Sequence, residues 1–100
     1  MGFRPNVVRK YEFKLGSSWD FNYQNLELCE WLRKYKVDVT GGGEEGEGTR
    51  WELWKKQLRK IPARAYKDED FPGLDPKELK GFVEDCLDAP TGETAFVWWI

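Results

Sequence analysis

Thr94-Ala95-Phe96-Val97-Trp98-Trp99-Ile100 is the run on which the fold turns. In a strand, alternate side chains leave opposite faces, so Ala95, Val97 and Trp99 point one way and Phe96, Trp98 and Ile100 the other. Both sets are apolar. A strand of this kind belongs in the middle of a sheet with both faces covered. The rest of the chain must therefore supply neighbouring strands and a layer of cover.

Working outward from it, Pro90 and Gly92 separate this strand from a helix with a clear start. Asp75 is the N-cap, Pro76 takes the first helical position without losing a needed donor, and Glu78 completes a capping box. Leu79, Phe82, Val83 and Cys86 form its buried stripe, with Leu87 at the edge. Pro62 to Leu74 reads as irregular, with a turn at Pro72-Gly73. Before it, Thr49 and Glu52 form another capping box, and Trp51, Trp54, Leu58 and Ile61 follow at helical intervals. This predicts a helix from Thr49 to Ile61, stopped by Pro62. The competing reading makes Thr49–Trp54 a strand, because Trp51 and Leu53 also alternate. Gly41–Gly48, with five glycines and three glutamates, is a flexible acidic loop.

Val37-Asp38-Val39-Thr40 reads as a short strand. Ahead of it, Leu28, Trp31, Leu32 and Tyr35 mark one side of a helix running from near Asn22 to Lys36. Cys29 lies at the stripe's edge, and Glu30, Arg33 and Lys34 face away. Residues 6–15 form the first strand, with Val7, Tyr11, Phe13 and Leu15 on its buried face and Gly16-Ser17-Ser18 ending it. The expected architecture is a small α+β domain of two layers, spanning residues 1–100. It has three strands, and three helices mainly on one face, in the order β-α-β-α-α-β. Helices on one face leave either Phe96 and Trp98 or Val97 and Trp99 pointing outward. All four are candidate partner contacts, met by a second copy of the chain or another protein, unless the loops fold back over them.

Composition narrows the classes. Six Trp, four Tyr and six Phe in 100 residues can supply a core, which a disordered chain would lack. Sixteen basic and eighteen acidic residues give a net charge of −2, against a general polyanion or anionic-membrane binder. No apolar run approaches the roughly 20 residues of a membrane span. The first residues resemble no signal peptide, and Asn6 stands where myristoylation needs Ser or Thr. Cys29 and Cys86 are too few for a disulfide framework, so buried thiols and a cytoplasmic setting are expected.

The chemistry of catalysis is thinly represented. The chain has no histidine, the commonest general base and metal ligand. Neither cysteine sits in a sequence that marks a thiolate, and two cysteines do not make a zinc site. The Asp68-Glu69-Asp70 run fits no EF-hand, and no Gly-Lys-Ser/Thr follows the glycine loop. No catalytic, metal or cofactor site is therefore assigned. The most distinctive charge feature is Lys55, Lys56, Arg59, Lys60, Arg64 and Lys67, six bases with no acid among them. The first five are the candidate contacts to phosphate or an acidic partner. The acids from Asp68 to Asp88 are the alternative destination of this charge. Protein–protein contact through a non-catalytic module is the leading expectation, and nucleic-acid binding by the basic stretch is the alternative.

Overall fold

The computed structural model describes residues 4–10, 14–18, 21, 24–40 and 50–99, with the backbone alone for 9, 10 and 14–18. Strands β1 (Pro5–Lys10), β2 (Lys14–Ser18), β3 (Arg50–Trp54) and β4 (Thr94–Trp99) form one antiparallel sheet in the order β2-β1-β4-β3. Between them lie helices α1 (Asn25–Lys34), α2 (Lys55–Leu58) and α3 (Pro76–Asp88), with a 3-10 turn at Ala63–Lys67. The α+β class and the order β-α-β-α-α-β hold, the first strand being drawn as a two-strand hairpin. Tyr11, Phe13, the Gly41–Gly48 loop, Thr49 and Ile100 lie outside the described residues.

β4 is internal, as its two apolar faces require. It pairs with β1 through Pro5↔Trp99, Asn6↔Trp98 and Val7↔Val97, and with β3 from Arg50↔Trp98 to Trp54↔Thr94. Its faces are not equal. Val7, Trp51, Leu53, Ala95, Val97 and Trp99 point into the single core cluster shared with α1 and α3. Trp51 and Trp99 pack there with ring centroids 5.0 Å apart, and Phe21 meets Phe82 edge-on at 5.9 Å. Phe96 and Trp98, on the opposite face, are only half-buried.

Both long helices form where expected. α1 buries Leu28, Cys29, Trp31 and Leu32, while α3 buries Leu79, Phe82, Val83 and Cys86, with Asp75 Oδ1 accepting from Lys77 N at 2.9 Å. The end of α1 is a Schellman turn. Lys36 N donates to Arg33 O and Val37 N to Leu32 O, with Lys36 in the left-handed region at φ 69°.

Three local expectations are corrected. Residues 6–15 are not one strand: β1 ends at Lys10 and β2 begins at Lys14, so the ladder folds back on itself. Thr49–Ile61 is not a helix. Residues 50–54 are a strand whose alternation buries Trp51 and Leu53, and pairing along all five residues with β4 outweighs the local helical signal. Helix remains only at α2, which closes through Lys60 N to Gln57 O and Ile61 N to Leu58 O before Pro62. Val37–Thr40 is not a full strand. Val37 and Val39 are buried, and only Thr40 joins the sheet, by an antiparallel bridge to Glu52.

Candidate functional site

The strand-to-helix corner at Trp54–Lys55 builds the most distinctive surface. Alternation along β3 turns Trp51 and Leu53 inward, so Trp54 faces out and is 39% exposed. Trp54 has extended backbone (φ −77°, ψ 123°) and is also the N-cap position of α2. Lys55 follows with the opposite fate. It is only 6% exposed, and its ammonium donates to the carbonyl of Ala89 at the C-terminal end of α3. There it meets the negative end of the helix dipole and fills an orphan acceptor. Its backbone N–H donates to Glu93 O at 3.0 Å, pinning the start of α2 to the turn that leads into β4.

This pinning brings Trp54, Lys55, Lys56, Arg59, Gly92 and Glu93 around a cleft of about 220 Å³. Gly92 has φ +78°, a conformation suited to glycine, and a side chain there would meet open space rather than protein. Lys56 Nζ lies 5.8 Å from the centroid of the Trp54 ring. Lys56, Arg59 and Lys60 are spaced i, i+3 and i+4, so they share one side of the turn, and all three are exposed. None of the three is ion-paired with a described residue.

Arg64 stands apart on the 3-10 turn, its guanidinium 5.7 Å from the centroid of Tyr35. Of the five basic candidates, then, Lys56, Arg59 and Lys60 share one surface, Arg64 rests on another ring, and Lys55 is internal. Of the four aromatic candidates, Val97 and Trp99 are fully buried, leaving Phe96 and Trp98 on the outward face. Arg50 lies over the Trp98 ring at 4.4 Å, and Asn6 Nδ2 donates to Trp98 O at 3.2 Å. Helical spacing would put Trp54 on one stripe with Leu58 and Ile61. The alternation Trp51–Leu53 was the signal that sends it outward.

Asp68 and Asp70 form no ion pair with this patch. They instead hold Lys34 of α1, at 2.7 and 2.8 Å, and Tyr35 donates its hydroxyl hydrogen to Asp68. The hydrogen bond from Lys34, then that from Tyr35, lowers the Asp68 pKa to about 2. The same carboxylate raises Lys34 and Tyr35 above their ordinary values. A second cavity of about 220 Å³ lies between Trp31, Tyr66, Phe71 and Leu79. Two of its polar groups are engaged: Trp31 Nε1 donates to Ala65 O at 2.8 Å, and Asp68 is held as described. No group of three His, Cys, Asp or Glu side chains placed to hold a metal ion occurs among the described residues. No described helix is long and apolar enough to cross a membrane. No protein-family model, curated protein or solved structure matches the chain.

Proposed function

We propose that this protein is a non-catalytic binding module whose anionic partner is met by Trp54, Lys56, Arg59 and Lys60. The observation that carries the reading is the exposed indole beside three cations that form no ion pair with a described acid. An indole beside cations offers a stacking face next to charge, and a cluster of cations without ion-pair partners steers anions toward it. The absence of histidine from the whole sequence further supports binding over acid–base catalysis. Cys29 and Cys86, both buried and neither in a disulfide, suit a reducing compartment, so the module works in the cytoplasm. The test is titration with two polyanions at low salt, a single-stranded oligonucleotide and a polyglutamate peptide. At least one binds, and replacing Lys56, Arg59 and Lys60 together by Gln abolishes that binding. Failure of both probes overturns the proposal.

Phe96 and Trp98 support a second reading, contact with a protein partner or a second copy across the outward sheet face. Their half-buried rings lie on the face opposite the helices, with Arg50 stacked on Trp98. Light scattering after size exclusion decides the self-association: a strict monomer at high micromolar concentration removes the homodimer.

A further inference from the structure

We infer that the cleft beside Trp54 takes one nucleotide of a single-stranded nucleic acid and prefers bases with an exocyclic amine, cytosine or adenine. This rests on the preceding proposal of an anion-binding surface and names its ligand. Three chemistries line the cleft: the aromatic Trp54, the cations Lys56 and Arg59, and the acid Glu93, whose backbone is held there by Lys55 N. Few ligands satisfy all three. Stacking on Trp54 needs a planar face, and the cations need a phosphate or carboxylate. Glu93 makes the choice. A carboxylate repels a ligand that is anionic throughout, yet accepts a hydrogen bond from an amine such as N4 of cytosine. An amino-bearing nucleotide has its planar ring, its donor and its negative charge at separate places.

An acidic peptide fits less well. Its side chains offer no ring for Trp54, and its carboxylates would crowd Glu93. The cleft of about 220 Å³ suits a splayed single base and not the edge of a duplex. Lys60 extends the cations beyond the cleft along the same side of the turn, more than one phosphate requires, which favours a strand over a free nucleotide. Lys56, now resting over the ring, moves to the phosphate as the base stacks. The overall charge of −2 opposes any polyanion, so binding is local and strongly dependent on salt.

The test uses fluorescence anisotropy with the full chain and labelled homopolymers of about twelve nucleotides, long enough for one site. Oligo-dC and oligo-dA bind tighter than oligo-dT by about fivefold or more. With three phosphates engaged, affinity falls about 18-fold between about 50 and 200 mM salt. Trp54→Ala, an exposed change whose folding circular dichroism checks, lowers affinity for every oligomer. Glu93→Gln raises oligo-dT binding and brings the ratio close to one, because an amide can donate to a base carbonyl as well as accept. Equal wild-type affinity for oligo-dC and oligo-dT overturns the inference. Binding of polyglutamate with no oligonucleotide bound also overturns it but leaves the anion site standing, whereas no binding of either polyanion overturns both.

Discussion

Lys36 holds a backbone conformation that side chains with a Cβ resist. At φ 69° it supplies the left-handed residue of the Schellman turn after α1, and its side chain is exposed. Lys36→Gly therefore stabilises the protein by about 0.5–1 kcal/mol, the relief of strain exceeding the added freedom of the unfolded chain. A urea midpoint shift with an unchanged slope checks it. Lys55 is the opposite case, a charge drawn inside by a single acceptor. Lys55→Met keeps the aliphatic stem but leaves the buried Ala89 carbonyl without its donor. The expected cost is about 1–3 kcal/mol in the same denaturation experiment. Sequence proximity suggested that Lys55 belonged with its basic neighbours. Its partner lies 34 residues away, so only tertiary structure separates it from Lys56.

At the scale of elements, legibility followed the range of the interaction. α3 was fully readable because its cap, its Pro76 start and its apolar stripe are all local. Asp75→Ala accordingly lowers stability by about 1 kcal/mol by removing the acceptor for Lys77 N. Thermal denaturation reads the loss. β3 is ambiguous in the sequence, because Thr49 and Glu52 carry a local helix signal while Trp51 and Leu53 alternate; what decides it is the ladder to β4, 40 to 48 residues away. The same substitution of strand for helix moved Trp54 from the core to the surface. Of the candidate site, Lys56, Arg59 and Lys60 could be found from charge alone. Glu93 could not, because the turn at Gly92–Glu93 reaches the patch through the distant pairing of Trp54 with Thr94 and the hydrogen bond from Lys55 N.

Across the whole molecule, charge is partitioned rather than mixed. The Asp68–Asp70 corner satisfies Lys34 and Tyr35, while the cations of the α2 corner form no ion pair with a described residue. This partition predicts the pH response. Asp68 has a folded pKa of about 2 against an ordinary 3.8, so its contribution is complete above about pH 4 and is lost as pH falls toward 2. Tyr35 is shifted upward, so its contribution is present below about pH 10 and is lost as pH rises through its folded value. Melting temperature measured against pH should fall at both ends, and Asp68→Asn should remove the part of each fall that belongs to this network. An unchanged acid slope in Asp68→Asn would show that the acid sensitivity arises elsewhere.

The interior place of β4 also bears on how the protein is made. Both strands beside it are synthesised earlier, and among the described residues β3 pairs only with Thr40 until Thr94–Trp99 arrives. A nascent chain therefore carries the indole of Trp51 without its partner Trp99 until the last strand is made, an interval in which chaperones and aggregation compete for it. Chains stalled on the ribosome before Thr94 should be cut readily by protease. Those extended past residue 100 by a flexible linker, long enough to free β4 from the exit tunnel, should resist.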